Sequence, residues 1–251
     1  MVSAAAKRPL VPDPTHYPVD EDMGESILHK LIIEILRPLV ARWLAERGTP
    51  CFVGADQFIY WVQYAPTRSV APDLYVLPGV PVDAQVKAWK VWETGVVPSF
   101  ALEVVSDDFR KDYHDTPVRY ADLGVSELIV FDPLSAALPE RVRWQVFRHA
   151  PQTGFSVVER SDGDRVRSEA LGCWLRAVGS ESELRVRLAT GANGDALVPT
   201  EAEAERAAKE AEREAKETER EAKETERAAR EAAEAEVARL RADIERMRRG
   251  T

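Results

Sequence analysis

The chain has 251 residues, 45% apolar and 31% charged, with a formal net charge of −9. That length allows one or two domains at ~150 residues each, and the negative balance excludes a protein that grips nucleic acid by bulk positive charge, though not one with a local basic patch. Residues 201–251 carry a net −3 and residues 1–200 a net −6. No run of ~18 apolar residues is present to span a membrane. The opening MVSAAAKRPLVPDPTHYPVD lacks the continuous apolar stretch of a secretory signal. Cys51 and Cys173 are far apart and neither has a Cys or His neighbour at metal-ligand spacing. A disulfide framework is therefore not expected, and a reducing cytoplasmic location fits.

In chain order, residues 1–19 form a Pro-rich, extended lead-in. Ile27, Leu28, Leu31, Ile32, Ile35, Leu36, Leu39, Val40, Trp43 and Leu44 then recur in pairs every four residues, which is one broad apolar helix face. Pro38 is expected to bend this helix and Arg47-Gly48 to end it. Strands are expected at 51–53, 58–64 and 74–77, with an edge piece at 91–93 and a clear strand, FALEVV, at 100–105. In TPVRYADLG, at 116–124, Thr116 suits an N-cap, Pro117 the first helical position and Gly124 the residue after the helix. The apolar ELIVF at 127–131 is a strand stopped by Asp132-Pro133. Between 141 and 190, RVRWQVFRH, GFSVVER and ELRVRLA alternate in polarity and are separated by turn residues, a β meander expected to extend the same sheet. This order predicts a mixed α/β (α+β) domain over 20–190, with a core at 20–135, a β extension at 141–190 and a linker at 191–200.

Residues 201–251 differ in kind. EREAKET at 212–218 repeats at 219–225 and continues as ERAAREA at 226–232. A seven-residue repeat means either a coiled coil or a long solvated helix held by Glu–Lys/Arg pairs four apart. The seam through Ala208, Ala211, Ala215, Thr218, Ala222, Thr225 and Ala229 buries little area. Val237, Leu240, Ile244 and Met247, after a shift of phase, are the better candidates for pairing with a second copy.

The chemistry concentrates at 72–133. Asp73 follows a proline and precedes a short strand, and Glu103 lies within a strand among Ala101, Leu102, Val104 and Val105. Two acids on neighbouring strands converge at one end of a sheet and supply hard oxygen ligands for Mg²⁺ or Mn²⁺. Read singly, Asp73 is equally a turn residue, and Glu103 a salt-bridged or outward-facing one. Glu25 and His29 share a helix face, either as further groups near a metal or as the polar border of an amphipathic helix. Asp107, Asp108 and Asp112 are either extra ligands or turn and cap residues. Arg110, Arg119, Arg141, Arg143 and Arg148 are the cations available for a local phosphate-binding patch. No Gly-rich phosphate loop, G-x-S-x-G elbow or Cys/His zinc spacing is present, which argues against nucleotide hydrolysis, a serine hydrolase and a zinc enzyme.

Taken together, VAPDLYVL at 70–77, ALEVVS at 101–106 and RKDYHDTPVRYADLGVSELIVFDP at 110–133 resemble the Uma-two-type restriction endonuclease family, a branch of the PD-(D/E)XK nuclease superfamily. The resemblance covers roughly residues 20–135. It implies a restriction-endonuclease-like core with a central mixed sheet flanked by helices, here followed by a long C-terminal helix or coiled coil. Asp73 matches the family's PD acid and Glu103 its strand acid. A lysine is expected two residues beyond the strand acid, or four before the tyrosine matched by Tyr120; those places hold Val105 and Thr116. Lys111 is the nearest substitute, either assisting the water and phosphate or an ordinary surface lysine. The implied activity is metal-dependent hydrolysis of DNA phosphodiester bonds, with Asp73, Glu103 and the Val104 backbone carbonyl holding Mg²⁺ (or Mn²⁺) and catalysis impaired by the missing lysine. The alternatives are a non-catalytic nucleic-acid-binding or assembly module that forms a homo-oligomer through 201–251, and a mixed α/β protein whose acids are structural.

Overall fold

The computed structural model describes Thr15 and residues 27–106, 109–150 and 152–249. The chain divides into two compact units, residues 1–198 and 199–251. In the first, helix α1 (Ile27–Ala45) is followed by β1 (Cys51–Gly54), β2 (Phe58–Tyr60), β3 (Ser69–Val70), β4 (Leu74–Pro78) and β5 (Ala88–Lys90). Next come a one-turn helix α2 (Val91–Thr94), β6 (Phe100–Val104), a π-helical turn (Lys111–Asp115), α3 (Thr116–Leu123) and β7 (Glu127–Phe131). The unit ends with β8 (Trp144–Ala150), β9 (Gly154–Ser161), β10 (Arg165–Ser168), β11 (Cys173–Val178), β12 (Arg185–Thr190) and β13 (Ala196–Leu197).

The central sheet has six strands in the order β1-β4-β6-β7-β8-β9. It is mixed: β6 and β7 run parallel, with α3 in the connection between them, and every other pair is antiparallel. Side chains along its strands alternate between two apolar layers, as the two-residue period of a strand requires. Leu74, Val76, Phe100, Leu102, Val104, Ile129 and Phe131 join α1 on one face, where the same core continues into Val166, Leu175, Val186 and Leu188. Tyr75, Leu77, Ala101, Val105, Leu128 and Val130 join Tyr120 and Leu123 of α3 on the other.

α1 follows the apolar periodicity, burying Ile32, Ile33, Leu36, Leu39, Val40, Trp43 and Leu44. It runs through Pro38 as one element. Pro38 lies on the exposed side, as does Glu34, whose carbonyl the proline leaves without an intrahelical donor. Gly48 adopts the left-handed conformation (φ 66°) just past its end.

Three local expectations are corrected. Residues 91–94 are a helical turn closed by left-handed Gly95, not an edge strand. Thr116 is not an N-cap: residues 109–115 are already helical, so Thr116 lies inside a continuous helical path and is buried. Gly124 does take the left-handed position after α3 (φ 86°). In the meander, β8 and β9 extend the central sheet, but β10-β11-β12-β13 form a separate four-stranded sheet, and β2, β3 and β5 form a three-stranded one. The two larger sheets are tied by Glu127. Its buried carboxylate takes Arg148 Nε at 2.5 Å, the Ser168 hydroxyl and the Glu169 N–H at 2.9 Å.

The second unit is one helix, α4 (Glu201–Arg249). A capping box starts it: Glu203 N–H donates to Thr200 Oγ1 (3.3 Å) and Thr200 N–H donates to Glu203 Oε2 (2.8 Å). Ion pairs four apart, among them Lys216–Glu212, Arg220–Glu224 and Lys223–Glu219, run along it. Val237, Leu240, Ile244 and Met247 are exposed. Among the described residues no helix is long and apolar enough to cross a membrane.

Candidate active site

β4 and β6 pair antiparallel with Leu74 opposite Leu102. Continuing that register by one residue sets Asp73 opposite Glu103, and directly opposed residues share a face. The alternation Asp73, Tyr75, Leu77 and Ala101, Glu103, Val105 puts both acids on the α3 face. The two carboxyls, thirty residues apart in sequence, are thus neighbours at the end of β6.

Each oxygen has a defined surrounding. Asp73 is 3% exposed. Its Oδ2 accepts the Val104 N–H at 2.6 Å, and its Oδ1 lies 2.9 Å from His29 Nε2, brought in by the first turn of α1. Glu103 Oε1 accepts the hydroxyl of Tyr120, which stands fully buried on α3. Beyond the strand, Asp112 Oδ2 accepts both the N–H and the hydroxyl of Ser106 at 2.9 Å, fastening the π-helical turn beside the pair.

Burial pushes the Glu103 carboxyl well above the usual carboxylate range. The neighbouring Asp73 charge raises it further, the Tyr120 hydrogen bond opposes the rise, and Asp112 and a hydrogen bond shared with Asp73 add to it. Tyr120 is held well above its ordinary value, first by burial and then by Glu103. Two adjacent carboxyls that resist joint ionisation form a site whose charge a cation would relieve. Among the described residues no group of three or more His, Cys, Asp and Glu side chains is disposed to hold a metal ion. Mg²⁺, however, binds through one or two carboxylates and keeps several waters, so the two-carboxylate donor set fits such an ion.

The other sequence candidates divide. His29 joins the site through Asp73, while Glu25, Asp107 and Asp108 lie outside the described residues. Lys111 is exposed at the start of the π-helical turn, next to Asp112. Val105 and Thr116, at the lysine places, are buried. Two of the five arginines considered for phosphate are committed elsewhere. Arg141 is 8% exposed and grips Asp132 through two 2.7 Å bonds, and Arg148 pairs with Glu127 and Glu169. Arg110 and Arg119 are exposed. Sequence reasoning gave Tyr120 no role in the site and left Asp112 as either an extra ligand or a turn and cap residue. Tyr120 lies seventeen residues from Glu103, one helix away, and only the packing of α3 joins them.

The Uma2 family model, described as "Putative restriction endonuclease", matches residues 20–193. No curated protein matches the chain. Among solved structures, one match is the "Crystal structure of a putative nuclease belonging to DUF820 from Anabaena variabilis", 13% identical, covering 59% of this chain and 75% of that one with a TM-score of 0.39.

Proposed function

The chain belongs to the Uma2 family of restriction-endonuclease-like proteins, and from that premise we propose that it is a divalent-metal-dependent endonuclease hydrolysing phosphodiester bonds in DNA. The observation that carries this reading is the Asp73–Glu103 pair, two carboxyls opposed across β4 and β6 with Glu103 pushed above the usual carboxylate range by burial and by its neighbour. Asp73, Glu103 and the Val104 carbonyl would hold Mg²⁺ or Mn²⁺, which when bound polarises a phosphate oxygen and makes an attacking water more acidic. To serve as a ligand the Glu103 carboxyl would release its proton to solvent. Tyr120 keeps the Glu103 carboxyl in place, and His29 and the Val104 N–H do the same for Asp73. Lys111 stabilises charge on the phosphate. Exposed Arg110 and Arg119 are the cations through which an acidic protein contacts the DNA backbone locally. Two free, buried cysteines agree with a reducing cytoplasmic compartment.

The test is cleavage of plasmid DNA by the full chain. Nicking or cutting is expected with Mg²⁺ or Mn²⁺, none with EDTA, and a loss of ~100-fold or more in the Asp73→Asn variant. Activity surviving both EDTA and that substitution defeats the reading.

A second reading rests on two observations: the lysine places hold buried Val105 and Thr116, and α4 exposes an apolar stripe. On this reading the chain is a non-catalytic nucleic-acid-binding or assembly module that self-associates through α4.

A further inference from the structure

The central sheet carries a polar row on its α3 face. Glu103 is opposite Val130, Val130 is opposite Gln145, and Gln145 is opposite Arg160. With neighbouring strands ~4.8 Å apart, Gln145 stands about 10 Å from Glu103 along this row. The π-helical turn has residues at both places. Asp112 on that turn is bonded to Ser106 beside the acids, while Tyr113 and His114, with Phe109 and Arg110 just before it, face a cavity on the far side. This cavity, of about 300 Å³, is lined by buried Gln145 and also by Glu140 and Arg160.

Gln145 is the informative residue. It is 2% exposed, yet among the described residues its Nε2 has no hydrogen-bond partner. A buried amide donor left without a partner destabilises the free protein. It sits on a central-sheet strand among Trp144, Val146 and Phe147, where an apolar residue would pack without that cost. Around it the walls are fixed. The Tyr113 hydroxyl donates to Asp132 at 2.7 Å and accepts the Val142 N–H at 2.9 Å. The Phe109 ring stands edge-on to Tyr113 at 5.7 Å, with the Arg141 guanidinium 5.1 Å from its centre. Exposed Arg110, His114 and Arg160 flank the opening.

We propose that this cavity binds one nucleotide of the substrate strand, with the Gln145 amide donating to an acceptor on the base edge, Phe109 and Tyr113 giving aromatic contacts at its wall, and Arg110 and Arg160 holding the adjoining phosphate. A buried donor beside aromatic rings suits a planar, acceptor-bearing ring, and guanidinium groups suit a phosphate. The cavity volume admits one base, and the sheet row sets it within the span of neighbouring nucleotides from the carboxyl pair. The assignment to a substrate strand rests on the nuclease reading; the cavity's affinity for a nucleotide does not.

The experiment measures binding of a fluorescein-labelled single-stranded oligonucleotide, and of unlabelled deoxynucleoside monophosphates in competition, to the full-length Asp73→Asn chain, which retains the cavity. Adding Gln145→Leu is expected to weaken oligonucleotide binding roughly three- to ten-fold without lowering the melting temperature, because the substitution removes an unpaired buried donor. Arg160→Ala, on an exposed position, is expected to weaken binding and to flatten its salt dependence by about one released counterion. Unchanged affinity in both variants, or no binding by the parent, overturns the proposal. Loss of binding on Gln145→Leu in a protein that cleaves nothing with Mg²⁺ upholds the cavity and removes the hydrolytic reading. Asp73-dependent cleavage with binding indifferent to Gln145 and Arg160 does the reverse.

Discussion

Glu103 shows what a single residue can disclose in a sequence. An acid among Ala101, Leu102, Val104 and Val105 is costly unless it has partners, and the structure supplies them in Asp73 and Tyr120. Asp132 and Gln145 were not legible in the same way. A residue before a proline reads as a strand stop, but Asp132 is fully buried and anchors Arg141, Tyr113 and the Leu134 N–H. A glutamine in an alternating strand reads as a solvent-facing position until α3 and the turn before it are seen covering that face. The Glu103 carboxyl also makes stability depend on pH. Its folded value lies well above the ordinary 4.5, so between the two the folded chain keeps a proton that the unfolded chain has lost. The contribution of this group is fully present below the ordinary value and declines as pH rises toward the folded one. Glu103→Gln removes the titrating group while keeping its shape. In EDTA, the variant's melting temperature is expected to gain on the parent's as pH rises above the ordinary carboxylate value. Parallel curves would show that Glu103 ionises normally.

At the level of elements, helical periodicity located α1, short apolar runs located the buried strands β6 and β7, and the Pro117 and Gly124 end signals located α3. Partnership between strands was less legible. β10 to β13 alternate in polarity just as β8 and β9 do, and nothing local says that a second sheet receives them. The start of α3 was misplaced because Thr-Pro imitates a capped first turn, whereas a π-helical turn carries the helix through it. One close approach is specific to a strand pair. Gly54 on β1 is opposite Tyr75 on β4, and the Tyr75 ring, whose hydroxyl bonds Gln57 at 2.9 Å, occupies the space a Cβ would need. Gly54→Ala is expected to destabilise the protein by about 1–3 kcal/mol through overpacking, a fall of several degrees in melting temperature. A variant as stable as the parent would mean that Tyr75 moves aside freely. Since Asp73 immediately precedes the strand that carries Tyr75, the same substitution probes how firmly β4 holds the site.

Over the whole molecule, charge and repeat pattern described the C-terminal segment well, since a heptad of Glu, Lys, Arg and Ala leaves little alternative to a helix, and α4 is a single helix. Whether that helix pairs depends on a second copy, which a single chain does not contain. On the assembly reading, Leu240→Glu with Ile244→Glu lowers the molar mass measured by light scattering toward that of one chain. An unchanged mass excludes the stripe as the contact. On the nuclease reading, the net −9 makes DNA binding depend on a few local cations, and thus on the carboxyl pair being neutralised when DNA arrives. The most direct measurement is Mn²⁺ binding by calorimetry to the full chain and to its Glu103→Gln variant at about pH 6 and about pH 8. Binding by the parent should tighten with rising pH, as Glu103 releases its proton, and should be lost in the variant. Binding that is independent of pH and indifferent to the substitution would mean that Asp73 and Glu103 do not form a metal site.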